Sequence, residues 1–386
     1  MRQIICYLLL LEAVACKQVY ISPHQSPPTG YLVIEGTVNS GHGNSTLKIS
    51  RTTPLNNLDS IVSEIAAQVN LEGEDNSSYL FSENPAGHYN ATDLNLNTSI
   101  KYRLHIKTVS GKEYLSDYVG VNNNPPIDSI SREIDSNGMK LNINTHDPQN
   151  NTRYYQWEYA ETWEFRSIDS ASLKYNITSG ANGDIYEVVK RNPFDPPIFR
   201  CWHTNLSQLL VLGSSTRLSQ DSISMPLVNI PLASWEISVL YSLGVKQYSW
   251  TKEGYQFLEE MKKNTEQTGS IFDAQPSQFS SNFHCLSDPT EPVIGFMNIC
   301  PVQEKRIFIS NSDVPNWGYV DDCFEFIIEN DTQLSKNAPG TLPIAVFRTM
   351  GIPNSTDIII LNFFAAPAAC VDCTLRGSNV KPDFWP

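Results

Sequence analysis

Cys370-Val371-Asp372-Cys373 holds the thiols whose spacing most invites chemistry, because two cysteines so placed form half of a zinc knuckle or a redox dithiol. No second Cys-x-x-Cys follows, no His pair lies nearby, and the flanking residues do not read as a strand-turn-helix redox site. The pair is therefore expected to make structural bridges. The chain has eight cysteines; setting aside Cys6 and Cys16 near the start leaves Cys201, Cys285, Cys300, Cys323, Cys370 and Cys373 as disulfide candidates. That even set suits up to three bridges in an exported chain, with the connectivity left open. Acidic pairs at Asp321-Asp322 and Glu259-Glu260 have the residue type of a glycosidase dyad, but such carboxyls must flank a sugar ring, and adjacent acids usually form a solvated face. Seven histidines stand singly, and there is no His-Glu-x-x-His, Gly-x-Ser-x-Gly, glycine-rich phosphate loop or EF-hand pattern. The sequence thus offers no catalytic, cofactor-binding or metal-binding constellation, and a non-enzyme is expected.

Cys16 is a different case. Residues 1–15 carry one early Arg, an apolar run from Ile4 to Leu11, and small residues ending in Ala13-Val14-Ala15 before Cys16. This reads as an export signal, too short to span a bilayer. Its end resembles a bacterial lipobox, in which the cysteine thiol is diacylated and becomes the new N-terminus. Ordinary cleavage after Ala15, leaving a free thiol, is the alternative. Acyl chains on Cys16 would anchor the chain, since each buried methylene contributes ~0.8 kcal/mol. Residues 16–30, with Pro23, Pro27 and Pro28, then form the lipid anchor and tether.

Composition narrows the class further. Acidic residues number 41 against 27 basic ones, for a formal charge of -14, and no basic cluster appears. Nucleic acid is excluded as a partner, because phosphate contacts need clustered Lys and Arg. Aromatic residues make up 10% of the chain, enough for sizeable cores.

The elements that must position these residues read mainly as strands. In Tyr102-Arg103-Leu104-His105-Ile106-Lys107 three apolar side chains oppose three cations at period two, and His105 is expected outward and solvated. Ser110-Gly111-Lys112-Glu113 turns the chain into a returning strand. Short strands at this spacing predict an immunoglobulin-like β-sandwich over 31–124, ended by Asn122-Asn123-Asn124-Pro125-Pro126. A second such sandwich over 125–386 starts at Ile127, includes the aromatic run Tyr154 to Phe165, and carries insertions and an aromatic tail. Residues 168–200 and 311–345 are expected as loops, and Ile358 to Phe364 as a buried strand. One helix is expected after Thr251, its N-cap, with Tyr255, Leu258 and Met261 at helical spacing.

Several segments together carry a family resemblance. They are the lipobox, Tyr31-Leu32-Val33-Ile34-Glu35-Gly36, Pro125-Pro126-Ile127-Asp128-Ser129-Ile130, Asn264 through Asp273, Pro292-Val293-Ile294-Gly295-Phe296, Cys370 through Cys373, and Lys381 through Trp385. In these the chain resembles the Bacteroidota outer-membrane lipoproteins catalogued as domain of unknown function 4249. The resemblance implies a gene neighbour of the SusC-type TonB-dependent receptors, hence an outer-membrane β-barrel partner. It carries over one site, the lipidated Cys16, and no cofactor. The expected role is a non-catalytic accessory subunit at the outer membrane, on the cell surface, capturing ligand or supporting assembly. The alternative is a free-standing surface lipoprotein that binds glycans or peptides. Asp-Ser-apolar tripeptides such as Asp128-Ser129-Ile130 resemble O-glycosylation acceptors of such exported proteins.

Overall fold

Alternation decides the first sheet. In the strand Tyr102–Lys107, Tyr102, Leu104 and Ile106 are buried, while Arg103, His105 and Lys107 face outward. The outward groups are not bare. Arg103 Nη2 lies 2.9 Å and His105 Nδ1 2.8 Å from the Glu72 carboxylate, and Lys107 Nζ lies 2.8 Å from Glu113 Oε1. Glu72 and Glu113 stand opposite Arg103 and Lys107 in register, so the outer face is a cross-strand ladder of ions rather than isolated solvated groups.

The computed structural model describes residues 30–53, 61–180, 183–266, 280–330 and 340–386. The expected signal segment 1–15, Cys16, and the expected tether up to residue 29 lie outside the described residues, as does most of the Asn264 to Asp273 motif. The protein is mainly β, built from multiple sheets. The first sheet is nine-stranded and antiparallel, and it curls into a half-barrel around Tyr89, Tyr102 and Tyr114, all fully buried. Leu32–Glu35 lies at one end of its strand order and Phe283–Cys285 at the other.

The curl is closed from far along the chain. Phe283–Cys285 pairs with Glu113–Ser116 at one edge. A few residues later Ile294 runs parallel to the other edge, where Ile34 N donates to Ile294 O at 2.8 Å, and Ile299–Cys300 pairs with Val38–Asn39. Phe283, Val293, Met297 and Ile299 thereby enter the first core. Glu291 sits at the crossing, where its carboxylate accepts from Tyr114 Oη at 2.8 Å and from Lys112, with Arg51 Nη1 at 3.6 Å. Gly295 allows the close approach: its φ is +156°, and a Cβ there would lie 2.7 Å from Ile34 O. Gly295→Ala should cost about 1–3 kcal/mol through backbone strain, read as a lower midpoint in urea unfolding.

Beyond the junction, two sheets share a second core. One comprises Ile127–Asp135, Gly138–Asp147 and Asp221–Pro231; the other is five-stranded, with Tyr154–Arg166 and Leu240–Ser249 at its centre. Met139, Leu141 and Ile143 meet Trp157, Tyr241 and Leu243 between them. The aromatic run Tyr154 to Phe165 is thus largely core: Tyr155 and Trp157 are fully buried and stacked at 5.6 Å. Asn124 pins the junction, donating from Nδ2 to Gln247 O at 2.7 Å and to Pro301 O at 2.8 Å.

Three local expectations are corrected. Within 168–200, Leu173–Gly180 and Gly183–Lys190 form a hairpin. Its polar composition masks a period-two apolar face, and Leu173, Tyr175 and Val188 pack on Phe326, Ile328 and Phe363. Within 311–345, Phe326–Glu329 is a strand and Thr341 begins another, Thr341–Gly351; both pair with Ile358–Pro367. That last strand is not uniformly buried. Phe363, Ala365 and Ala366 are covered, but Ile358 and Ile359 are 66% and 43% exposed, because the hairpin outruns the surface that packs against it. The helix Lys252–Glu266 forms as expected, with Thr251 Oγ1 accepting from Gly254 N at 3.1 Å. No helix among the described residues is long and apolar enough to cross a membrane.

Candidate functional site: an open cleft on the central sheet

Four of the six cysteine candidates form bridges, Cys201 with Cys373 and Cys323 with Cys370. The Cys-x-x-Cys pair therefore splits, each thiol stapling the last segment to a different strand or loop. Cys285 and Cys300 are buried and unbridged, so a third bridge among the described cysteines is absent. They sit at opposite ends of the closing segment, and burial pushes the Cys300 thiol up to about 11, which keeps it protonated and inert. Among the described residues no group of three or more His, Cys, Asp or Glu side chains is placed to hold a metal. Of the acidic pairs, Asp321 accepts from Tyr319 Oη at 3.0 Å and faces Arg376, while Glu259-Glu260 lies on the helix, where neighbouring side chains diverge.

The bridges direct the tail onto the outer face of the five-stranded sheet. Trp385 is buried there, its Nε1 donating to Glu164 Oε2 at 3.3 Å and its ring meeting Trp202 and Phe308 edge-on. Glu164, itself buried, also takes two hydrogen bonds from Arg200 at 2.8 and 2.7 Å. The aromatic ending is structural packing.

Where the tail stops, the same face lies open. Two strands pair in succession with one edge of Tyr154–Arg166: Arg200–Leu206 alongside its later half and Val211–Ser214 alongside its start. Residues 207–210 loop out between them, and Ser207 holds the gap, its N donating to Tyr159 O at 2.8 Å and its Oγ accepting from Tyr159 N at 3.0 Å. The result is a cleft of about 630 Å³ whose floor is Glu158, Ala160, Gly244 and Lys246, with Leu206, Leu209 and Leu210 on one rim and Arg306 on another. It continues toward the helix through Gln156, Tyr248 and Leu258.

The charges of this cleft are mostly paired. Lys246 Nζ lies 3.3 Å from Glu304 Oε1. Tyr248 Oη donates to Glu158 Oε2 at 2.9 Å; burial and that carboxylate raise the phenol well above its ordinary pKa, so it remains a donor. Arg306 has no carboxylate within ion-pair distance; desolvation lowers its pKa from the ordinary guanidinium value, and Glu304 offsets this only in part. None of these residues stood out in the sequence. The signal that marks the place is Gly244 inside a strand, which signals close approach by another group.

Fold and cleft together define the class: a mainly β, doubly disulfide-bridged protein of several sheets with an open, mixed-polarity groove. The chain belongs to the family described as Domain of unknown function (DUF4249), whose model matches residues 19–306. The match ends within the strand Gln303–Ser310, so the three-stranded sheet of Phe326–Glu329, Thr341–Gly351 and Ile358–Pro367, the bridging cysteines Cys323, Cys370 and Cys373, and the tail follow it. No curated protein matches the chain.

Proposed function

We propose that this protein is a non-catalytic lipoprotein of the bacterial outer membrane, anchored by acyl chains on Cys16. Its two immunoglobulin-like sandwiches serve as an accessory subunit of a SusC-type TonB-dependent transporter, on the cell surface. The observation that carries this reading is the uncovered apolar arm. Ile327, Phe347, Met350, Ile358 and Ile359 are exposed on the two faces of one three-stranded sheet, and Phe324 is exposed just before its first strand. Thr341–Gly351 is an edge strand of that sheet; Ser172 already bonds Ile344 O near its start, and the stretch 346–351 offers the edge to which a partner's strand would add. Large apolar side chains left exposed on a sheet are a mark of protein contacts.

Extraction of native membranes with mild detergent should recover the chain together with a β-barrel protein, and Met350→Asp with Ile358→Asp should release that partner. Recovery of the wild-type chain alone would count against a subunit role. Mass spectrometry should find Cys16 acylated, and Cys16→Ser should leave the protein free of membranes; an unmodified, soluble wild-type chain removes the anchor. A second reading, a solitary surface binder of glycans or peptides, is favoured by the cleft itself, whose volume lies in the range of small-ligand sites.

A further inference from the structure

We infer that the cleft on the outer face of the central sheet binds an organic carboxylate carried on a small, partly apolar body, with Arg306 as the group that receives it. This goes beyond the subunit reading and depends on neither the lipid anchor nor a barrel partner.

Arg306 is built into place. Its strand partner is Gly244, where a Cβ would lie 2.4 Å from Nη2, so the missing side chain is what lets the guanidinium lie flat on the sheet. The Phe384 ring covers its other face, with Cζ 3.7 Å from the ring centroid. Nη1 donates to Ser242 Oγ at 3.0 Å. Both faces and one corner are thus occupied, and the remaining edge opens on the cleft with no acceptor among the described residues. A guanidinium edge offers paired N–H groups whose spacing matches a carboxylate.

The other cations of the cleft are already satisfied. Lys246 pairs with Glu304, and Lys305 Nζ donates to the carbonyls of Ile127 and Asp128 at 3.1 and 2.5 Å. A single guanidinium with no ion-pair partner, in a cleft that also holds the carboxylates Glu158 and Glu304, fits a monoanion better than a phosphate dianion. The opposite rim sets the body of the ligand: Leu206 and Leu209 are 66% and 65% exposed and present apolar surface to it. A short apolar peptide with a free C-terminal carboxylate satisfies both ends; an acidic sugar satisfies only the first.

The test is calorimetric titration of the full chain, purified in mild detergent, with acetyl-Leu-Leu-Leu, its C-terminal amide, and trigalacturonate. The acid should bind, and the amide about tenfold or more weakly, the ratio expected for one charged hydrogen-bonding pair. Arg306→Gln should weaken the acid similarly. Gly244→Ala, which keeps the charge but crowds the guanidinium from its seat, should do the same with little change in melting temperature. Tighter binding of trigalacturonate, still lost in R306Q, supports the site and makes the carrier a sugar. Equal affinity for acid and amide, unchanged binding in R306Q, or no binding of either anion overturns the proposal. Co-purification with a barrel protein is scored separately, so each reading can fail without the other.

Discussion

Cys201→Ser is expected to lower the free energy of unfolding by roughly 2–5 kcal/mol, the larger loss of the two bridges. The bridge to Cys373 spans 172 residues and links the strand Arg200–Leu206 to the turn that feeds the tail. A cross-link over so long a separation removes much loop-closure freedom from the unfolded chain. Both sulfurs are also fully buried in the second core, so a serine hydroxyl there would lack the surroundings it needs. Cys323→Ser, at a separation of 47, should cost about 1 kcal/mol less by the same entropy argument. Cys285→Ala serves as the control, because it breaks no bond. Guanidinium unfolding followed by tryptophan fluorescence under oxidising conditions gives all three values. Equal losses at Cys201 and Cys323 would rule out loop entropy as the source of the difference.

Glu291→Ala should cost roughly 1–3 kcal/mol, because the buried Tyr114 hydroxyl loses its acceptor while Arg51 keeps the Glu64 carboxylate at 2.5 Å. Arg51 and Glu291 are only 16% and 7% exposed at the side chain, and Tyr114 is fully buried beside them. The loss falls at the point where the chain crosses from one edge of the curled sheet to the other, so the closing segment should loosen with it. Acid should imitate the substitution. Burial opposes the charge of Glu291, yet hydrogen bonds from Lys112 and Tyr114 outweigh it and hold the carboxyl below its usual range. A depressed carboxyl stabilises the fold fully above its unfolded pKa of about 4.3, and that contribution disappears as pH falls through the lower folded value. Stability against pH should therefore drop on acidification in the wild-type chain and drop less in E291A. Parallel curves would show that the carboxyl is not a source of acid sensitivity.

Much of the strand content was legible because period two is a local property. Tyr102–Lys107 alternates within six residues, and its neighbours needed only the same pattern. The helix announced itself through Thr251 and the spacing of Tyr255 and Leu258. The hairpin over 173–190 was hidden by its polar face, since few apolar residues interrupt Lys174, Asn176 and Thr178. The arm misled in the opposite sense. Ile358-Ile359-Ile360 is as apolar as a core strand, yet Ile358 and Ile359 are left exposed among the described residues.

The cleft was illegible for another reason. Gly244, Arg306, Leu209 and Phe384 come from four separate stretches, and no spacing along the chain relates them. The same holds for Phe283 and Ile299 in the first core and for the choice of Cys201 rather than Cys370 as partner of Cys373.

What the amino-acid order determined alone is therefore local: alternation, turns, one capped helix, an acidic surface, an even set of late cysteines, and an N-terminal lipobox pattern. The tertiary structure alone decided which edges meet, which thiols pair, and which guanidinium is left facing an open groove. The physical reason is range. Propensity and periodicity act over a few residues, whereas closing a sheet or seating Arg306 on Gly244 depends on contacts between residues tens to hundreds of positions apart, whose geometry exists only once the chain is folded.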